Sequence, residues 1–133
     1  MLKHYHVAAG ILRDPAGRVL IAERRCSGPF NGLWEFPGGK IRPEETALDA
    51  LHRELGEELG IRIVASEPFM NLHHEYPDRT VKLEFFVVNQ WQGEPAGQEG
   101  QQISWVTVSE LDVELLLPAD APVVEALQGF PDR

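Results

Sequence analysis

The segment Glu54-Leu55-Gly56-Glu57-Glu58-Leu59-Gly60 constrains this chain more than any other. With 3.6 residues per helical turn, Glu54, Glu57 and Glu58 fall at i, i+3 and i+4 and share one face. Leu48, Leu51, Leu55 and Leu59 form an apolar stripe beside them. Such a helix buries its leucines and still holds three carboxylates at the edge of the core. Taken alone, the arrangement is unfavourable. Like charges at i and i+4 cost a few tenths of a kcal/mol per pair. Acidic groups in the last turns also oppose the helix dipole, by about 0.3–1 kcal/mol each. Arg53 is the one nearby base, and the spacing sets it to one side of the trio. A hard divalent cation takes oxygen ligands and would neutralise the cluster; a solvated acidic face is the other reading.

The flanking residues favour the cation. Gly38-Gly39 lies just upstream, and adjacent glycines let a backbone carbonyl approach a ligand. Glu44 and Glu45 open the helix, where negative charge is favourable. Glu45 precedes Arg53 by eight residues, about two turns, so an ion pair between them could brace the loop against the helix. Gly60 is placed to cap the helix in the left-handed conformation.

Alternating apolar residues and turn signals predict the remaining elements. Residues 5–13 and 18–23 read as strands joined by Asp14-Pro15-Ala16-Gly17, and are expected to form a hairpin. Residues 27–32 form a Gly- and Pro-rich loop, and the helix runs from residues 43–46 to Leu59. Strands follow at 61–64, 69–75 and 81–91, with a turn at Tyr76-Pro77-Asp78-Arg79. A polar loop spans 93–102; a short strand follows at 103–106, a helical turn at 108–111 and a final helix at 122–127. The irregular interleaving predicts α/β architecture, a mixed sheet with helices packed on it. At 133 residues without a repeat or linker, a single domain over 1–133 is expected.

Twelve basic against 21 acidic residues give a net charge of −9. That balance disfavours polymeric nucleic acid, whose phosphates need clustered Lys and Arg, but not a small phosphorylated molecule accompanied by a metal ion. The single cysteine, Cys26, excludes an intrachain disulfide, and no motif marks it as a catalytic thiol. The start of the chain lacks a continuous apolar run and no stretch approaches a membrane span. A cytoplasmic protein without a membrane partner, monomeric or weakly dimeric, is expected. His73 and His74 point to opposite faces of a strand and read as structural or surface residues rather than a metal pair.

Residues 39–61 read Gly39, five residues, Glu45, seven residues, Arg53-Glu54-Leu55, one residue, Glu57-Glu58, one residue, Gly60-Ile61. This segment resembles the Nudix box at every fixed position of that signature. Residues 33–40, 76–79, 100–101 and 118–120 resemble the MutT subgroup, which removes oxidised purine nucleotides such as 8-oxo-dGTP. The resemblance implies a Nudix α/β/α sandwich with a mixed central sheet. It further implies that Glu54, Glu57 and Glu58, with the Gly38 carbonyl, coordinate Mg²⁺ or Mn²⁺, joined by Glu99 from a later loop. The implied reaction takes a nucleoside triphosphate to the monophosphate and pyrophosphate by attack of water on phosphorus. Arg53 and Glu45 count with Glu54 and Glu57 in the catalytic group; Glu54, Glu57 and Glu99 all stand as candidates for the base. Arg24 and Lys40 are candidate phosphate contacts, and Phe36, Gly39, Tyr76, Asp78, Arg79 and Asp120 complete the expected substrate set. Phe36, Tyr76 and Phe85 could stack on a base or sit in the core, and strand alternation puts Phe85 in the core.

Where the MutT pattern has Asn, this chain has Asp120. Asn donates and accepts at once, which suits the O6 and N7–H edge of 8-oxoguanine; ionised Asp only accepts. Asp120 could instead cap the final helix. Three readings stay open: hydrolysis of 8-oxo-dGTP, hydrolysis of CTP or a modified dCTP, and a silent nucleotide-binding module.

Overall fold

The structure, a computed structural model, describes residues 3–25 and 30–129. Cys26 and the first half of the expected Gly- and Pro-rich loop, residues 27–29, lie outside the described residues. The elements are β1 (Lys3–Leu12), β2 (Val19–Glu23), β3 (Trp34–Glu35), β4 (Gly38–Lys40), α1 (Ala47–Leu59), β5 (Arg62–Tyr76), β6 (Arg79–Gln92), β7 (Ile103–Val106) and α2 (Ala121–Gln128). Short 3-10 turns cover Val108–Glu110 and Pro118–Asp120.

The turn after β1 forms as its sequence dictates. The Asp14 carboxylate accepts from the backbone N–H groups of Ala16 and Arg18 at 3.0 and 2.8 Å, and Gly17 takes φ 83°. The expected hairpin does not form. A strand has two edges, and β1 fills both: β4 pairs with it antiparallel and β6 parallel. β2 therefore lies between β3 and β7 in a second, antiparallel sheet. One isolated bridge, Arg13 to Val19, is all that joins the first two strands. The larger sheet runs β4-β1-β6-β5 and is mixed, as expected. Strands expected at 61–64 and 69–75 are one continuous β5, and Pro68 is accommodated by register shifts around Ala65, Ser66 and Met70.

Strand alternation assigns each face of the larger sheet to one helix. On one face Ala8, Leu12, Phe86 and Val88 pack with Ala50, Leu51, Leu55 and Leu59 of α1. On the other Ala9, Ile11, Leu83 and Phe85 pack with Val123, Val124 and Leu127 of α2. This is the α/β/α sandwich. Leu48 does not join the buried stripe: it stays 39% exposed in the first turn of α1, and Ala50 takes its place. Stacked indoles of Trp91 and Trp105, 5.9 Å apart, tie the two sheets together. No helix among the described residues is long and apolar enough to cross a membrane.

α1 is fixed at both ends by residues suited to those ends. Thr46 accepts from the Asp49 N–H, the Asp49 side chain accepts from the Thr46 N–H, and Gly60 closes the helix at φ 71°. Between them, the helix lies directly on Gly10 of β1. A Cβ there would come within 3.1 Å of Leu55 Cδ1 and 3.3 Å of Leu51 Cδ1. Gly10→Val should therefore push α1 off the sheet and destabilise the protein by about 1–3 kcal/mol in urea titrations. An unchanged midpoint would show that this close approach is dispensable.

Candidate active site

The acidic face of α1 meets β4, and two glycines make that contact possible. A Cβ on Gly38 would stand 2.1 Å from the Ala8 carbonyl oxygen, and one on Gly39 would stand 2.3 Å from the Glu54 carboxyl carbon. A side chain at Gly38 would separate β4 from β1, and one at Gly39 would displace the Glu54 carboxylate. Gly38 also donates its backbone N–H to the Glu58 carboxylate.

Arg53 lies among the carboxylates, not to one side of them as the spacing alone suggests. Helical side chains lean toward the N-terminus, so its long stem carries the guanidinium back over the first turns. Nε and one terminal nitrogen hold both oxygens of Glu45 at 2.7 and 2.8 Å, forming the expected brace. The same fork reaches Glu54 at 2.7 Å, Glu57 at 3.1 Å and the Lys40 carbonyl at 2.9 Å. Hydrogen bonding to Arg53 holds the Glu45 carboxyl down at about 2.

Glu58 is the exception within the trio. Its Oε2 is buried and has no hydrogen-bond partner. Burial first, then the charges of Glu54, Glu35 and Glu99, push its carboxyl up to about 9 against the opposing Gly38 N–H bond. Among the described residues no three His, Cys, Asp or Glu side chains converge closely enough to enclose a metal ion as they stand. The reason is visible in the geometry: Arg53 draws Glu54 and Glu57 toward itself, while Glu58 turns inward. The donor set nevertheless fits a divalent cation. It offers a partnerless buried carboxylate oxygen, two further carboxylates and a glycine backbone with no side chain in the way.

The loop after Gly93 is pinned to the same helix end. Gln98 N–H and Gln101 Nε2 donate to the Glu58 carbonyl at 2.9 and 3.1 Å, and Ala96 N–H donates to the Leu59 carbonyl at 3.1 Å. These bonds satisfy helix carbonyls that no basic residue in the last turn attends. They also set the exposed Glu99 within electrostatic reach of Glu58. Two glutamines as C-terminal caps were not signalled by the sequence pattern.

On the other side of β4 opens a cavity of about 300 Å³. Val7, Ala9, Val81 and Leu83 give it an apolar floor, and Gly38 and Gly39 form the wall it shares with the acidic face. Of the eight expected substrate residues, the six besides Gly39 and Asp78 can be placed by what they touch. Lys40 Nζ lies 4.4 Å from the Tyr5 ring centroid, and the Arg79 guanidinium lies 5.2 Å from that of Tyr76. Phe36 is buried, edge-on to Phe85 at 6.2 Å, so both are core residues and Phe36 also lines the cavity. Arg24 reaches Glu35 at 3.2 Å. Asp120 is 3% exposed, and its side chain makes no helix-capping bond. Asp78 stands apart: 79% exposed at the β5–β6 turn, it does not line the cavity.

Asp120 accepts a hydrogen bond from the Phe36 N–H, while its Oδ2 is buried without a partner. Burial, then the Glu35 charge, pushes its carboxyl up to about 8. Glu35 itself is missing from the expected set, although it lines the cavity and its charge acts on both Glu58 and Asp120. Desolvation raises its carboxyl too, offset by Arg24. The sequence signal was an acid between Trp34 and Phe36 in an otherwise apolar stretch, paired across β2 with Ala22, two residues before Arg24.

This geometry has counterparts among known proteins. Residues 3–127 match the family model described as the NUDIX domain. A Haemophilus influenzae protein named 8-oxo-dGTP diphosphatase is 40% identical over 94% of this chain and 92% of its own length. An Escherichia coli protein named CTP pyrophosphohydrolase is 39% identical over 93% of this chain and 90% of its own. A solved structure from a study of MutT of Aliivibrio salmonicida and Vibrio cholerae superposes with a TM-score of 0.79 at 33% identity, covering 94% of this chain and 97% of that one. With the signature helix, its glycine support and the sandwich all in place, the chain belongs to the Nudix family of hydrolases.

Proposed function

We propose that the chain hydrolyses a nucleoside triphosphate to the monophosphate and pyrophosphate with Mg²⁺, for which Mn²⁺ can substitute, and that 8-oxo-dGTP is its favoured substrate. One observation carries this reading. The cavity holding the partnerless Oδ2 of Asp120 and the face holding the partnerless Oε2 of Glu58 share the Gly38–Gly39 wall. A base in the cavity thus leaves its phosphates at the carboxylates. Nudix hydrolases generally need a divalent metal, and the relatives at about this identity support hydrolysis of nucleotides.

In this reading Glu54, Glu57 and Glu58, the Gly38 carbonyl and Glu99 hold the cation. When bound, it neutralises phosphate charge and lowers the pKa of a bound water. The chain's own residues do the positioning. Arg53 and Glu45 keep the helix face registered against β4, so that the carboxylates would hold the cation and the attacking water in a fixed place relative to the phosphorus. Glu54, Glu57 or Glu99 orients the attacking water. Arg24 and Lys40 meet phosphate oxygens, Arg79 and Tyr76 border the sugar and base, and Gly39 and Phe36 wall the base in. Asp120 reads the base edge. Asp78 belongs to the turn that carries Arg79 into the wall.

The same Asp120 supports a second reading, since an ionised carboxylate accepts from the amino group of cytosine and one relative is named a CTP pyrophosphohydrolase. A silent binding module is disfavoured by retention of the whole acidic face, which costs stability in the absence of a cation.

Glu57→Gln keeps the shape of the face and removes one hard anionic ligand. Mg²⁺-dependent turnover should fall by about two to three orders of magnitude with an unchanged circular dichroism spectrum. Near-normal turnover would sink the metal assignment. Pyrophosphate release across normal and oxidised nucleotides should favour 8-oxo-dGTP over CTP by more than about tenfold in kcat/KM, or about 1.4 kcal/mol. The opposite preference would install the cytidine reading, and no release from any nucleotide would leave the binding module.

A further inference from the structure

Two carboxyl groups, the buried Asp120 and the partly buried Glu35, line the same small cavity. The Arg24 guanidinium bonds to Glu35 at 3.2 Å and acts on Asp120 through its field. The other titratable or charged groups in the wall are Tyr5, Lys40, Tyr76 and Arg79, and the two cations sit against the rings of Tyr5 and Tyr76. In an apolar cavity two nearby carboxylates are costly to ionise together. Because Arg24 is committed to Glu35, the negative charge settles there and the proton on Asp120.

We propose that Glu35 is a specificity-determining residue: its charge, fixed by Arg24, keeps Asp120 a hydrogen-bond donor as well as an acceptor, and so sets which base edge the cavity takes. Asp120 has the geometry for the role. One side of its carboxyl is engaged by the Phe36 N–H, while Oδ2 is buried and partnerless. A protonated Oδ2 donates to O6 of 8-oxoguanine, and the other oxygen has a lone pair for N7–H. Guanine offers acceptors at both positions and mismatches that pair; an ionised Asp120 would repel O6 instead. In this state Asp120 does the work of an asparagine. The placement of its carboxyl at about 8 agrees with a proton retained at neutral pH.

The inference rests on the substrate reading above, and binding of product monophosphates in EDTA tests it without any metal. Calorimetry would compare 8-oxo-dGMP with dGMP on the wild type, Glu35→Gln, Asp120→Asn and the double variant. The wild type should prefer 8-oxo-dGMP. Glu35→Gln should cut that preference about tenfold at pH 7, because the released proton leaves Asp120 an acceptor only. With Asn at position 120 the same Glu35→Gln change should leave the preference where it was. As a check that needs no change at Glu35, the wild-type preference should fall as pH rises through 8, more steeply than that of Asp120→Asn. A preference that survives Glu35→Gln, or that falls equally with Asn at 120, overturns the proposal alone. A wild type that binds both products equally, or neither, overturns the substrate reading and this proposal with it.

Discussion

The guanidinium of Arg53 is the interaction on which the rest of the site depends. Its five donors meet two oxygens of Glu45, one each of Glu54 and Glu57, and the carbonyl of Lys40. It thereby links the loop before α1, the helix itself and the end of β4 through one planar group. Arginine suits that position because its fork presents donors in fixed directions, whereas the lysine ammonium is a single point of charge. The pairs are partly exposed, and each alone contributes little stability. Their value lies in geometry: they fix the distance between the acidic helix face and the glycine backbone. That distance is short, since β4 has no side chain at Gly38 or Gly39 to hold the elements apart.

Much of this could be read from the sequence because it is local. The i, i+3, i+4 spacing put three carboxylates on one face, the eight-residue interval set the Glu45–Arg53 brace, and Gly60 ended the helix where a left-handed residue was needed. What depended on distant pairing was less legible. The turn at Asp14 formed as expected, yet its flanking strands separated into two sheets because β6, some seventy residues on, took the free edge of β1. Spacing alone sets Arg53 to the side of the trio, because it fixes Cα directions and not the reach of a long side chain. Leu48 kept the right periodicity and stayed exposed, because periodicity does not say how far the sheet extends beneath the helix.

Glu35 and Asp120 illustrate the same limit within the site. By local pattern Glu35 is an acid in an apolar stretch and Asp120 a candidate helix cap. The fold brings both into one cavity, from β3 and from the turn before α2, and neither is solvated there as an isolated residue would be. The Asp120 side chain caps nothing, since the 3-10 turn Pro118–Asp120 runs directly into α2 and carries its carboxyl inward against the Phe36 N–H. Their chemistry comes from sharing one cavity, and no window of sequence contains them both.

A net charge of −9 is an unpromising property for a protein that handles a polyphosphate, and the site shows how the difficulty is divided. The cations in the cavity wall are already engaged: Arg24 with Glu35, Lys40 over Tyr5 and Arg79 over Tyr76. They line the cavity without making it an indiscriminate anion trap. Across the shared glycine wall, the α1 face concentrates negative charge that Arg53 only partly offsets, leaving Glu58 with a buried oxygen and no partner. Phosphate and that face repel each other unless a divalent cation lies between them. Under the proposed function, substrate and cation would thus stabilise each other's binding on this surface. Under the proposed function the base is selected in the cavity by Asp120 under the charge of Glu35, and the triphosphate is held where the protein by itself would reject it.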